Sequence, residues 1–191
     1  MTTTDQPLYI KQLAEQIERI PLTQIIGVSG KKYNGKDTVG DYLVAHHGYT
    51  KLTFAEPIKD ICKIVFGITD EQLNTHLKEE CDTRWNVTPR KLMQFIGTDL
   101  FRDNMQKIMP EIAEDIWLKV LENKIKEHQK INSSSKFVIT DVRFENEYAL
   151  VKKMGGLVIK ITRPEFANLD THLSETLVDT LAFDFELINR G

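Results

Sequence analysis

Gly30 and Gly35 enclose four residues in the stretch TQIIGVSGKKYNGKDTVGDYL, and Lys36 follows directly. A backbone curling between two such glycines can turn its amide N–H groups inward, toward phosphate oxygens. A lysine at that place brings a point charge to the outer phosphates, and a helix starting there adds its positive end. The pattern G-x-x-x-x-G-K, with Lys32 and Asn34 inside it, points to a nucleotide polyphosphate; a purely structural Gly-rich turn is the alternative. Asp37 stands where such a loop ordinarily carries a serine or threonine hydroxyl for magnesium. A carboxylate is also a hard oxygen donor, so it can hold the metal directly or through water. Uncompensated beside a triphosphate it repels, which makes metal dependence more necessary. The plain alternative is that Asp37 only favours the dipole at the start of a helix. Thr38 points about 100° away round a helix and replaces the missing hydroxyl poorly.

Further along, Asp141 ends the apolar run KFVITD. An acid at a strand end holds the hydration shell of magnesium in loop-type nucleotide enzymes, or else caps the next helix. Arg143 and Arg163 stand at two strand ends, where planar guanidinium forks suit phosphoryl oxygens. Their alternative is surface pairing with Glu145, Glu147 or Glu165. His172 and Glu175 in DTHLSE have the types for acid–base work or half a metal site, but no further ligand sits at metal-like spacing. Lys59, Arg90, Gln94, Thr98 and Asp99 are individually bland polar residues, and Trp85 is more simply a half-buried packing residue than a base-stacking one.

The elements that must position these residues alternate in type. YIKQLAEQIERI places Ile10, Leu13, Ile17 and Ile20 at helical spacing, with Pro21 to stop the helix. It packs on the body of the domain or serves a dimer contact. Strands are expected at 25–28, 49–54, 136–140, 157–162 and 185–188. Helices are expected at 37–47, 57–67, 88–103, 110–128 and 144–154, several opened by proline or closed by glycine. The polar stretch 69–86 gives no readable pattern. Strands alternating with helices imply an α/β fold, a mostly parallel sheet covered on both faces. Such sheets bind ligands at the carboxyl ends of their strands, where the loops named above converge.

A chain of 191 residues with 41% hydrophobic and 28% charged residues fits one globular domain, preceded here by a helical extension over 1–22. The net charge of −3 argues against a general nucleic-acid partner. Two cysteines, Cys62 and Cys81, make no disulfide framework and suit a reducing compartment. No signal core or membrane-spanning run is visible, so a cytoplasmic location is expected, in the host cytosol if the protein is viral.

The loop S-G-K-K-x-x-G-K-D-T, with its acid after the lysine, resembles that of the deoxynucleoside monophosphate kinases of bacteriophages and related viruses. FAEPIKD at 54–60, PRKLMQFIGTDLFRD at 89–103, TDVRFENE at 140–147 and ITRPEFANLDTHLSE at 161–175 resemble further blocks of that family, in its order. Tyr33 and Asn34 depart from it, because relatives commonly have a basic residue and a serine there. The resemblance implies a three-layer P-loop fold over 23–191 with a helical acceptor-binding flap and a lid. It also implies ATP and Mg²⁺ as cofactors and a deoxynucleoside monophosphate as small-molecule substrate, with a homodimer as a further expectation.

In that reading Gly30, Lys32, Asn34, Gly35, Lys36, Asp37 and Thr38 hold the donor, and Asp37 and Asp141 place the metal. Arg143 and Arg163 neutralise the transferring group. Lys59, Arg90, Gln94, Thr98, Asp99 and Asp141, with His172 and Glu175 of the lid, serve the acceptor. A monophosphate has a second pKa of about 6, so it is largely dianionic at neutral pH and needs no general base. A similar glycine–lysine–aspartate loop occurs in animal-type phosphomevalonate kinases, which keeps another small phosphate acceptor open. A nucleotide switch without an acceptor is the rival from outside the enzyme class.

Overall fold

The structure is a computed structural model describing residues 7–164 and 181–191, apart from the side chain of Ala113. The chain divides into two compact units, one formed by 1–53 with 125–191 and the other by 54–124.

The first unit is built on five parallel strands: β1 (Ile25–Ser29), β2 (Tyr49–Leu52), β3 (Lys136–Val142), β4 (Leu157–Thr162) and β5 (Phe185–Ile188). Their order is β2-β3-β1-β4-β5. β1 is buried along its whole length, as a central parallel strand with both faces covered must be. Because β3, β1 and β4 are adjacent and parallel, the loops after them leave the same edge of the sheet. Helix α2 (Lys36–His47) returns from the first of these loops, and α7 (Glu145–Lys153) joins β3 to β4.

Helix α1 (Leu8–Ile17) belongs to this unit's core: Leu13, Ile17 and the following Ile20 are buried with Ile26, Val28, Val39, Leu43 and Leu187. The helix ends before Pro21, because its last turn tightens: Arg19 N–H bonds Gln16 carbonyl and Ile20 N–H bonds Ile17 carbonyl. Gln16 meets the edge strand β5 as another strand would. Its Nε2 donates to the Ile188 carbonyl at 3.1 Å and its Oε1 accepts from the Ile188 N–H at 2.9 Å. An open strand edge is an invitation to pair with another chain, and this amide closes part of it.

The second unit holds α3 (Glu56–Phe66), α4 (Asp70–Asn74) and α5 (Pro89–Gln94), with Cys62, Ile68, Leu73, Leu92 and Ile96 as an apolar cluster. The stretch that the sequence left unreadable is organised by polar bonds. Thr69 and Gln72 form a reciprocal capping box on α4. The buried Asp82 accepts from Gln72 Nε2 at 2.9 Å, and from Arg84 through its backbone N–H, Nε and Nη2 at 3.0, 3.0 and 2.7 Å. The Arg84 guanidinium, followed by the Gln72 amide, holds the Asp82 carboxyl well below the usual carboxylate range.

The single helix expected over 88–103 is two windings. α5 ends at Gln94, and Phe95–Asp103 continues as a π-helix that keeps Ile96 and Gly97 buried. Trp117 Nε1 donates to the Gly97 carbonyl at 2.8 Å inside the protein, and a Cβ on Gly97 would lie 2.9 Å from Ile58 Cδ1. The helix expected from 110 begins at Ile116, after a 3₁₀ turn at Ala113–Asp115, and α6 runs Ile116–Ile131. Trp85 packs edge-on against Phe66 with ring centroids 5.4 Å apart and donates to the Phe66 carbonyl at 2.8 Å, a packing role although it is half exposed.

Gln16→Ala is expected to cost on the order of 1 kcal/mol, seen as a thermal midpoint lower by roughly 2–4 °C. Asp82 contributes stability above the unfolded carboxylate pKa of about 3.9, and that stability is lost as pH falls below it. The drop in thermal midpoint between pH 7 and pH 3 should therefore be smaller in Asp82→Asn than in the parent.

Candidate phosphate-binding site

The loop between β1 and α2 has the backbone that a phosphate cradle requires. Gly30 has φ +151°, Gly35 φ +102°, and Tyr33 between them φ +67°. The glycines are also demanded by packing: a Cβ on Gly30 would lie 2.4 Å from the Ile161 carbonyl oxygen, and one on Gly35 2.8 Å from Asn189 Nδ2. Neither position has room for a side chain. The Asn34 side chain is buried, its Nδ2 donating to the Ile161 carbonyl at 3.0 Å, while its backbone carbonyl accepts from Asn189 Nδ2 at 3.0 Å. Asn34 thus ties the loop to the ends of β4 and β5, and its own N–H closes a turn within the loop on the Lys31 carbonyl at 3.2 Å. Asn189 escaped the sequence reading, because its partner lies 155 residues away.

Lys36, the first residue of α2, folds its Nζ back to the carbonyls of Gly30 (2.6 Å) and Lys31 (2.9 Å). Its charge is therefore held at the mouth of the loop it is expected to serve. Lys32 Nζ lies 4.9 Å from the centre of the Tyr33 ring, and Thr38 is half-buried on the first turn of α2.

Asp37 lies in that first turn, where a negative charge suits the helix dipole. Its carboxylate also meets a cation that the sequence reading passed over. Lys51 Nζ, from β2, lies 2.7 Å from Asp37 Oδ1 and 3.0 Å from Asp41 Oδ1, one helical turn on. Gly40 brings α2 close enough for this: a Cβ there would lie 2.5 Å from Thr140 Cγ2 and 3.5 Å from Lys51 Cδ. Burial alone would lower the lysine's pKa, but the two carboxylates outweigh it and the ammonium is held above its ordinary value.

Asp141 lies within β3, one residue before its end, and Arg143 follows the strand. Asp141 is not the cap of α7, because Phe144 occupies the N-cap position. Glu147 satisfies that helix start, accepting from the N–H groups of Arg143 at 2.8 Å and Phe144 at 3.2 Å while buried. Of the acids named as alternative partners of Arg143, Glu147 thus meets it through the arginine's backbone N–H. Arg163 directly follows β4 and is half-buried. Strand order thus carries Gly30–Lys36, Asp141, Arg143 and Arg163 to one edge of the first unit. His172 and Glu175 lie outside the described residues.

The remaining acceptor candidates, Lys59, Arg90, Gln94, Thr98 and Asp99, belong to the second unit. Lys59 Nζ donates to Asn74 Oδ1 at 2.5 Å, and Arg90 Nε to Glu79 Oε1 at 2.5 Å. Gln94, Thr98 and Asp99 are exposed on α5 and the π-helix. Asn104 Nδ2 donates to the Asp99 carbonyl at 2.6 Å, leaving the Asp99 side chain out of that bond.

A family-wide sequence profile for deoxynucleotide monophosphate kinases matches residues 24–80 and 65–191. A deoxynucleotide monophosphate kinase of Acanthamoeba polyphaga mimivirus is 39% identical over 169 residues, covering 86% of this chain and 88% of its own. The deoxynucleoside-5′-monophosphate kinase of Escherichia phage T5 is 23% identical, with coverage of 88% and 90%. The deoxynucleotide monophosphate kinase of Enterobacteria phage T4 is 22% identical, with coverage of 88% and 93%. With the glycine-bounded loop and the strand-end residues in place, these matches establish that the chain belongs to the deoxynucleotide monophosphate kinase family.

Proposed function

We propose that this protein transfers the γ-phosphoryl group of ATP to the 5′-phosphate of a deoxynucleoside monophosphate, giving the diphosphate and ADP. The observation that carries the reading is the positive-φ loop between β1 and α2 with the Lys36 ammonium at its mouth, in a chain of this family. An oxygen of the acceptor phosphate bonds to the γ-phosphorus while the bond to the β–γ bridging oxygen breaks. The acceptor is already largely dianionic at neutral pH, its second pKa being about 6, so no proton need be removed in that step. What the protein supplies is alignment, charge neutralisation and exclusion of water.

The loop amides from Gly30 to Lys36 and the Lys36 ammonium take the donor phosphates, with Lys32, Asn34, Asp37 and Thr38 in the same segment. Arg143 and Arg163 take the transferring group. Lys59 and Arg90 take the acceptor phosphate, exchanging their bonds to Asn74 and Glu79 for it, and Gln94, Thr98 and Asp99 face base and sugar. His172 and Glu175 keep the covering role that the resemblance implies.

Magnesium bound with a nucleotide takes one or two carboxylates, phosphate oxygens and water. Asp37, 79% exposed at its side chain, and Asp141 at the strand end are hard donors of the right kind, so the residues fit the ion. When bound, the ion screens the negative charge of the phosphates.

Turnover should be read by coupled ADP release across deoxy- and ribonucleoside monophosphates, with phosphomevalonate alongside. Stimulation by deoxynucleoside monophosphates is expected; ADP release indifferent to every acceptor would leave only a nucleotide switch. Lys36→Ala should lower turnover by about 10²–10³-fold while the chain still folds, as read by its circular dichroism spectrum. Lys59→Ala should raise the KM for the monophosphate by at least about tenfold and that for ATP far less. The opposite order would move the acceptor phosphate away from Lys59.

A further inference from the structure

Lys51 sits at the carboxyl end of β2 and joins two carboxylates on one face of α2, Asp37 at 2.7 Å and Asp41 at 3.0 Å. The lysine side chain is 28% exposed, whereas the two acids are 79% and 69% exposed. The cation is therefore the fixed member, and the carboxylates can turn to other partners. Resting on the nucleotide reading above, we infer that Lys51 is a positioning residue that serves as the counterion of Asp37 until a metal–nucleotide arrives. Asp41 then keeps Lys51 paired when Asp37 lets go.

Two considerations support this. An acid after the loop lysine places negative charge where a polyphosphate must bind, and an unscreened unit charge about 4–6 Å from another is worth more than a factor of ten in affinity at intermediate dielectric. Lys51 cancels that charge in the absence of metal. A lysine with only one partner would also have to be left unpaired when that partner turned to the metal. Asp41, at i+4 from Asp37, lies on the same face and removes that cost.

The test is nucleotide binding, not turnover. ADP affinity is measured by titration calorimetry in EDTA and in saturating Mg²⁺, on the full chain, for the parent, Lys51→Met, Asp37→Asn/Lys51→Met, Asp41→Asn and Lys36→Ala. Lys51→Met should weaken ADP binding about tenfold in EDTA but less than about threefold in Mg²⁺. The double variant should regain the EDTA affinity, since it removes the acid together with its counterion. Asp41→Asn, which leaves Lys51 only Asp37, should raise the Mg²⁺ concentration needed for half-maximal tightening of ADP. Equal losses with and without metal, no loss in either, or failure of the double variant to recover would overturn the assignment. If Lys51→Met does not fold, the Asp41→Asn shift decides, and an unchanged Mg²⁺ midpoint counts against the inference. Lys36→Ala separates the two levels of argument: if it binds ADP as the parent does, the phosphate-loop reading itself is lost.

Discussion

The loop after β1 can be a phosphate cradle only because the end of β4 presses against it. Its curl passes so close to the Ile161 carbonyl that Gly30 has no space for a Cβ, and Asn34 fastens it there with a buried hydrogen bond. A chain that merely contained glycines would be pliable at this point, and pliable amides bind anions weakly because ordering them is costly. The sheet removes that cost in advance. Everything assigned to the donor nucleotide depends on this contact between a loop and a neighbouring strand end.

Charge is organised around the same edge. Lys36 is held by loop carbonyls, Glu147 holds the backbone at Arg143, and Lys51 joins Asp37 to Asp41. The aspartate that departs from the ordinary phosphate loop is thus no isolated anomaly. It belongs to a three-member group whose two acids lie on α2 and whose lysine comes from β2. Exposed ion pairs contribute little to stability, so the interest of this group lies in the charge it presents.

Much of the first unit was legible from the sequence. Short apolar runs marked β1, β3 and β4, because interior parallel strands covered on both faces are largely continuous in hydrophobicity, while the edge strands β2 and β5 are shorter and mix polar with apolar positions. Alternation of strand and helix gave the edge where Asp141, Arg143 and Arg163 would stand. What stayed hidden was contact across long separations. Asn189 is an unremarked polar residue near the end of the sequence, and Lys51 is one lysine in a four-residue strand. The second unit was harder. Its stretch from 69 to 86 is held by a capping box and by one buried aspartate, which leave no periodic apolar signature. The change from α to π winding after Gln94 is likewise invisible, since Phe95, Ile96 and Phe101 suit either helix.

The Asn34–Asn189 bond spans 155 residues of chain. A ribosome making this protein releases the loop well before its fastener. During elongation the glycine curl lacks the carboxamide that clamps it, so nascent chains should capture little nucleotide. If the loop binds nucleotide as proposed, ligand affinity would report that β5 has docked.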